Sequence, residues 1–223
     1  MNAIDIFFNP EIAARAFPIL LRGLGMTILL GVTAIIFGTL LGLLIALVRL
    51  YGPQPFRLLA AGYTDVMRAL PVLVVLILIY YALPFAGIEF GAFGCVAIGF
   101  FLNTGSYYGE ILRAGIESVP SGQMEAARAT GLSRGQAMAW VVLPQAVRNV
   151  LPDLISNTLE VVKLTSIASV VALPELLFQA RQAQSVTYNP TPIVVAAIAY
   201  FLLLWPLVRL ISRLENRAIA GRA

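Results

Sequence analysis

Five apolar stretches dominate this 223-residue chain, and each is close to the roughly 20 residues that a helix needs to cross the hydrocarbon core of a bilayer. Hydrophobic residues make up 60% of the sequence and charged residues 12%, whereas an ordinary soluble domain is about 25% charged. The sequence therefore predicts an all-α integral membrane protein with about five transmembrane helices. The predicted spans are residues 19–48, 58–83, 93–112, 150–173 and 193–211.

Charged side chains interrupt the second and fourth predicted spans. At a lipid-facing midplane each charge would cost about 2.5 to 3.5 kcal/mol. We therefore expect these side chains to face protein or water. They are Asp65, Arg68, Asp153, Glu160 and Lys163.

The basic residues predict the orientation of the chain in the membrane. Loops on the cytoplasmic side of a membrane protein carry an excess of Lys and Arg. One side of the five predicted spans carries Arg49, Arg57, Arg113, Arg128, Arg134, Arg148, Arg209, Arg213, Arg217 and Arg222, and the other carries Arg15, Arg22 and Arg181. This places the C-terminal tail (214–223) and the loop 118–148 in the cytoplasm and the N-terminus outside. Residues 1–18 lack a basic leader region and are interpreted as a retained extracytoplasmic lead-in.

The loop 118–148 carries the signals of a helix, a turn and a second helix. Ser121 is predicted to cap the first helix, and Gly131 to stop it in the left-handed conformation. Ser133 and Gln136 have the spacing of a capping box at the head of a second helix, from 134 to 142, which Pro144 is expected to interrupt. An amphipathic interfacial helix without a partner is the alternative interpretation.

The same loop resembles the EAA signature of ABC-importer permeases, E-A-A-x3-G-x9-I-x-L-P, with Val141 where isoleucine is usual. In that family the segment is a cytoplasmic coupling helix that seats in a groove of a separate ATPase. The resemblance implies that Ala126 and Ala127 form a low-relief surface for that ATPase. The coupling residues so implied are Glu125, Ala126, Ala127, Gly131, Leu132, Leu143 and Pro144.

Further segments look like the pattern of polar amino acid uptake permeases, over roughly residues 23–213. They are 63–71, 110–116, 122–123, 143–148 and 163–166. The resemblance implies a type I ABC importer permease fold over residues 19–213. It also implies a dimer of permeases, two ATPase subunits that hold ATP and Mg²⁺, and an external solute-binding protein. Two departures from the family pattern, Leu164 in place of an acid and Tyr107, slightly favour a heterodimer, and Leu164 weighs against a cationic solute.

The fourth predicted span carries a polar stripe. Asp153, Asn157, Glu160 and Leu164 follow one helical face, with Lys163 beside them. One interpretation is a translocation pathway in which Glu160 and Lys163 pair when no solute is bound. The other is that the stripe holds helices together, at about 0.6 to 2 kcal/mol for each polar side chain. The hydroxyls of Thr165 and Ser166 are predicted to lie deeper and to bond a solute.

Asp65 and Arg68 are spaced i,i+3 just before Pro71, at the expected cytoplasmic end of the second span. A structural ion pair that braces the helix break is the favoured interpretation. A gate at Arg68 is the alternative.

Several function classes lack sequence support. The chain has no histidine, one cysteine and a single lysine, Lys163, and it lacks the P-loop pattern. We therefore expect no catalytic residue, metal or cofactor in this chain. The basic residues lie at span ends, so nucleic-acid binding is not expected. The sequence predicts the permease subunit of an ATP-driven importer of an amino acid or a similar zwitterion in a bacterial inner membrane. An ion-coupled secondary carrier or channel is the alternative.

Overall fold

The computed structural model describes residues 7–220, with side chains to residue 212, and this part of the chain is helical without any β-strand. The predicted lead-in and tail extend beyond these limits. The helices are α1 (Pro10–Tyr51), α2 (Gln54–Ala69), α3 (Val72–Ala82), α4 (Ala92–Glu117), α5 (Ser121–Ala129), α6 (Arg134–Ala137), α7 (Leu143–Leu164), α8 (Leu176–Thr187) and α9 (Thr191–Ala220). Leu83–Ala86 and Thr165–Val171 are 3₁₀ turns, and Met138–Val142 is a π-turn.

Three helices of the described chain are long and apolar enough to cross a membrane: α1, the continuous helix Arg134–Val171 and Thr191–Ser212 of α9. The pair α2 and α3 makes a fourth if it counts as one span, although it bends by 101°. The remaining predicted span is α4, whose 26 residues are long enough to cross. It is less apolar than the others because glycine and hydroxyl side chains occupy much of its surface.

α4 lies at the centre of the bundle because its small residues let α1 approach closely. An added Cβ at Gly38 of α1 would lie 2.6 Å from the Thr104 side chain, and one at Gly42 would lie 2.7 Å from Tyr108. The fit is reciprocal, since a Cβ at Gly105 would lie 2.6 Å from Leu41. Close backbone approach of this kind replaces the hydrophobic effect as a source of helix association within lipid.

The main core joins four helices, α1, α3, α4 and α7. Leu30 and Ala34 of α1 pack with Leu76 of α3, Phe100 of α4 and Val161 of α7, and all five side chains are buried. The bundle therefore fixes the bend between α2 and α3 against the middle of α4 and against α7.

The second predicted span is broken at Leu70 and Pro71, between α2 and α3. The break lies beside Asn103, in the middle of α4. Pro71 has no amide hydrogen, so the carbonyl of Met67 loses its usual helical donor. The side-chain amide of Asn103, on α4, donates to that carbonyl at 3.2 Å. The helix break that the sequence expects at Pro71 is confirmed, and Arg68, Ala69 and Pro71 are exposed on this chain at the break.

α8 is a helix that the apolar pattern did not predict. Glu175 caps it by accepting hydrogen bonds from the amides of Leu177 and Phe178, at 2.9 and 2.6 Å, and from the Tyr200 hydroxyl at 2.9 Å. The Glu175 side chain is fully buried, and this burial raises the pKa of its carboxyl. Leu176 packs on Leu20 of α1, so α8 closes one end of the bundle.

Candidate functional site

The loop between α4 and α7 begins with a short helix and a glycine stop. α5 starts at Ser121, and Pro120 precedes it without a side-chain cap. The predicted cap at Ser121 is therefore wrong, because Ser121 is already helical. Gly131 adopts φ 90°, and its amide donates to the Arg128 carbonyl at 3.0 Å. The left-handed stop predicted at Gly131 is confirmed.

A capping box begins the next helix. The backbone amide of Gln136 donates to the Ser133 hydroxyl at 3.3 Å, and the backbone amide of Ser133 donates to the side-chain oxygen of Gln136 at 2.9 Å. The box is the one that the sequence predicts.

The helix does not stop at Pro144. The π-turn Met138–Val142 follows α6, with the Leu143 amide donating to the Met138 carbonyl five residues earlier. Pro144 then lies in the first turn of α7, where the missing amide costs little. The predicted interruption is therefore wrong, and one helical rod runs from Arg134 to Val171.

The residues of the EAA match differ in their exposure. Glu125 and Ala126 are exposed, whereas Ala127 is buried against its own chain. The low-relief surface expected from Ala126 and Ala127 is therefore smaller, because only Ala126 is exposed. Leu132 is half-buried, and Leu143 and Pro144 are exposed. The segment that follows α4 is fastened by a small apolar cluster of Val119, Val142 and Ala146.

A cavity of about 470 Å³ opens where α2 breaks from α3. Arg68 and Tyr107 line it from one side, and Asn157, Glu160 and Leu164 of α7 line it from the other. Three of the four residues of the predicted stripe, all except Asp153, thus line the same cavity as Arg68. Asp153 is exposed and lies outside the lining of this cavity.

The guanidinium of Arg68 stacks on an aromatic ring. It lies 5.5 Å from the centre of the Tyr107 ring, within the range of a cation–π contact. Among the described residues, the ion pairs do not include one between Asp65 and Arg68. The predicted brace is therefore wrong. Asn103 supports the break instead, and Arg68 is directed to the cavity.

Glu160 and Lys163 form the ion pair that their i,i+3 spacing predicts, at 2.6 Å. Their side chains are 58% and 51% exposed, so the pair lies at the surface of this chain and not in its core. Lys163 also reaches a second cavity of about 270 Å³, which Ser166 and Tyr200 line together with apolar residues of α8 and α9.

Thr165 does not reach either cavity. Its side chain is fully buried, and its hydroxyl donates to the Val162 carbonyl at 2.6 Å. The prediction that Thr165 is available to a solute is therefore wrong, because the 3₁₀ turn directs it into the core. Ser166 lines the second cavity, with its hydroxyl donating to the Lys163 carbonyl at 2.8 Å.

The sequence did not identify Asn103 as a cavity residue, and it singled out Tyr107 only as a departure from the family pattern. Both lie on the polar half of α4, and Asn103 also lines the large cavity. The signal available was an asparagine in the middle of an apolar stretch, which must find a hydrogen-bond partner in a membrane. Within residues 7–212, whose side chains are described, His, Cys, Asp and Glu form no group of three suited to a metal ion.

A family model described as "Binding-protein-dependent transport system inner membrane component" matches residues 38–220. The chain is similar to YckA of Bacillus subtilis, which bears the name of an amino-acid ABC transporter permease protein. The two are 40% identical over 177 residues, 79% of this chain and 78% of YckA. GlnP of Rickettsia bellii, which bears the name of a glutamine transport system permease protein, is 36% identical over 96% of both chains.

The fold is also similar to that of a solved structure. A crystal structure of an amino acid ABC transporter with histidines superposes with a TM-score of 0.85 at 38% sequence identity. The match covers 92% of this chain and 96% of that chain.

Proposed function

Because this chain belongs to the family of inner membrane components of binding-protein-dependent transport systems, we propose that it is the permease subunit of an ATP-driven amino acid importer. Relatives and a solved structure that bear the names of amino acid transporters support this assignment. The observation that carries it in this chain is the large cavity, which presents one guanidinium and one carboxylate between the broken span and the rod Arg134–Val171.

The cavity suits the charges that every free amino acid carries. The Arg68 guanidinium can bind the solute carboxylate through two parallel hydrogen bonds. The Glu160 carboxylate can accept from the solute ammonium, which would displace the ammonium of Lys163. Lys163 thus holds Glu160 while the cavity is empty and is released when the solute enters.

Leu164 narrows the class of solute. It stands in the cavity lining, where it presents an apolar wall and no charge. A solute with a second ammonium or a guanidinium would lose hydration at this wall without gaining a partner. We therefore favour an amino acid with an uncharged side chain.

The exposed coupling residues suit an ATPase partner on the cytoplasmic side. Glu125 and Ala126 of α5 are exposed, as are Leu143 and Pro144 of α7, and ATP and Mg²⁺ would bind the partner and not this chain. The excess of arginine on this side supports a cytoplasmic C-terminus and an extracytoplasmic N-terminus. A solute-binding protein would deliver the amino acid from outside.

A second permease would complete the translocation pathway. Glu160 and Lys163 are more than half exposed in the single chain, which is unfavourable for charges within a membrane unless protein or water covers them. A partner permease facing α7 would provide that cover. We favour a heterodimer, because Leu164 and Tyr107 depart from the pattern of the family and a paralogous partner can supply the missing contacts.

Uptake would be driven by rigid movement of the rod. ATP-dependent closure of the ATPase subunits would displace α5 and α6, and the rod would carry the displacement to Asn157 and Glu160 without a hinge at Pro144. The cavity would then open outward to accept solute and inward to release it.

Uptake by Glu160→Gln tests the assignment of the cavity. We expect this substitution to remove ATP-dependent amino acid uptake by proteoliposomes that contain the assembled complex, because a neutral amide cannot pair with the solute ammonium. Asp153→Asn is the matched control, since Asp153 lies outside the cavity lining and should leave uptake near that of the unmodified protein. Unchanged uptake by Glu160→Gln would leave Glu160 as a residue that only holds helices together.

An ionophore separates the importer from an ion-coupled carrier. With ATP present, uptake by an importer continues when the proton gradient is collapsed. A carrier would stop, and that result would refute ATP-driven import by this chain.

A further inference from the structure

A separate basic cavity lies at the end of the bundle that leads into the loop 118–148. It has a volume of about 350 Å³ and lies between α1, α2 and α4. Three guanidinium groups line it, and the carboxylate of Glu117 is the one acidic group in its wall. The lining residues are Arg49, Gln54, Arg57, Leu58, Ala61, Arg113 and Glu117. The cavity uses none of the residues of the solute cavity.

The carboxylates around this cavity do not balance its positive charge. Glu110 pairs with both Arg49 and Arg113, and Arg113 also pairs with Glu117. Arg57 forms no ion pair with a carboxylate of the described residues. Three cations therefore face two anions, which leaves the cavity one positive charge in excess.

The apolar surroundings of the cavity suit a lipid. Leu58 lines the cavity itself and is 66% exposed. Phe56 and Leu59, its neighbours on α2, are also strongly exposed. A pocket that presents guanidinium groups beside exposed leucine side chains matches a molecule with an anionic head and an apolar tail.

We propose that this cavity binds the phosphate group of an anionic phospholipid of the cytoplasmic leaflet. The proposal rests on the orientation given under the proposed function, which places the ends of α1 and α4 on the cytoplasmic side. Arg57 supplies the unpaired guanidinium for a phosphate oxygen, and the Gln54 amide can donate a further hydrogen bond. Basic pockets between helices at the cytoplasmic surface are suited to anionic head groups.

Bound lipid would stabilise the last turn of α4. Glu117 is the last residue of α4 and Arg113 lies one turn before it, so the two are three and seven residues before Pro120, which precedes α5. A phosphate shared between Arg57 and Arg113 would tie this turn to α2.

Lipid retention, measured by native mass spectrometry, tests the proposal without any transport. The purified complex of this chain with its partner subunits is incubated in detergent with phosphatidylglycerol or with phosphatidylcholine. We expect phosphatidylglycerol to be retained in preference, and Arg57→Gln to reduce its retention about fivefold, the effect of one basic residue at a membrane surface. Ala61→Leu fills the cavity at constant charge and should reduce retention as well.

Arg209→Gln is the matched control, because Arg209 lies on α9 at the same predicted side of the membrane and contacts Trp205 instead of the cavity. It should retain phosphatidylglycerol as the unmodified chain does. Equal retention of the two lipids, or normal retention by Ala61→Leu, would overturn the proposal. Displacement of the lipid by millimolar inorganic phosphate would overturn it in favour of a soluble phosphate ligand. Because no uptake is measured, a wrong solute assignment would leave the result unchanged.

Discussion

Asn103 and Pro71 show how a single pair of residues opens a cavity in a membrane helix. A proline in a membrane-spanning segment frees a carbonyl that lipid cannot satisfy, so another group must supply a donor. Asn103 supplies it to the Met67 carbonyl, and the break that results directs Arg68 to the cavity. The sequence predicts a helix break at Pro71, but the identity of the donor depends on which helix passes the break.

We predict that Asn103→Leu destabilises the protein by about 1 to 3 kcal/mol, because it leaves the Met67 carbonyl buried without a donor. Thermal unfolding of the purified complex in detergent measures the change. Asn149→Leu is the control, since the Asn149 amide bonds the Ser118 hydroxyl at an exposed position. Equal melting temperatures for the two variants would show that the Asn103 hydrogen bond does not support the break.

Gly131 is a second position where a single residue sets local structure. Its φ of 90° lies in the region that side chains with a Cβ avoid, although the space around it is open. We predict that Gly131→Val abolishes uptake while the chain still inserts, because the strained turn displaces the exposed surface at Glu125 and Ala126. Gly122→Ala, in equally open space but with ordinary φ, should transport normally. Normal uptake by Gly131→Val would remove the coupling role of this turn.

At the scale of helices, hydropathy predicted the long helices and missed the short helix α8. α1 and α9 expose many large apolar side chains, so their composition identifies them. α8 is short and buried at its start, and its formation depends on the cap at Glu175. Gly38 and Gly42 of α1 are spaced four residues apart, as are Gly105 and Gly109 of α4. Such pairs are common by chance, and only the fold shows that these two pairs meet.

Glu175→Ala is predicted to lower stability by about 1 to 2 kcal/mol, since α8 loses its N-cap and the Tyr200 hydroxyl loses its acceptor. The measurement is the thermal unfolding midpoint of the complex, with proteolysis of the loop before α8 as a local readout. Glu89→Ala removes an exposed carboxylate from another loop and should change neither. If the thermal unfolding midpoints of Glu175→Ala and Glu89→Ala are equal, the packing of Leu176 alone would be enough to hold α8.

For the whole molecule, the sequence predicted the class of fold and the location of the polar stripe, but not how the stripe is divided. Asn157 and Glu160 reach one cavity, Lys163 and Ser166 another, and Thr165 the core. A helical wheel cannot predict this division, because the 3₁₀ turn after Leu164 changes the angular spacing of the last residues.

We predict that deletion of Val147, an α7 residue between the π-turn and Asn157, abolishes uptake in a complex that still assembles. The deletion would turn the residues beyond it by about 100° relative to α6, because each α-helical residue accounts for about 100° of rotation. ATP-dependent uptake and co-purification with the ATPase are measured together. Val147→Ala keeps the number of residues at this exposed position and should transport normally. Uptake by the deletion variant would mean that a flexible joint separates α6 from α7.

The continuous helix through the π-turn fixes the angle between the two ends of the rod. The surface near Glu125 and the cavity wall at Glu160 do not touch, yet the angle between them is set by the count of residues from Ser133 to Asn157. The spacing between the glycine and the Leu-Pro pair in the EAA segment is then a constraint on angle as well as on contact. A substitution at an exposed position outside the cavity and the coupling residues leaves this angle unchanged, whereas an insertion or deletion in an α-helical part of the rod changes it by about 100°.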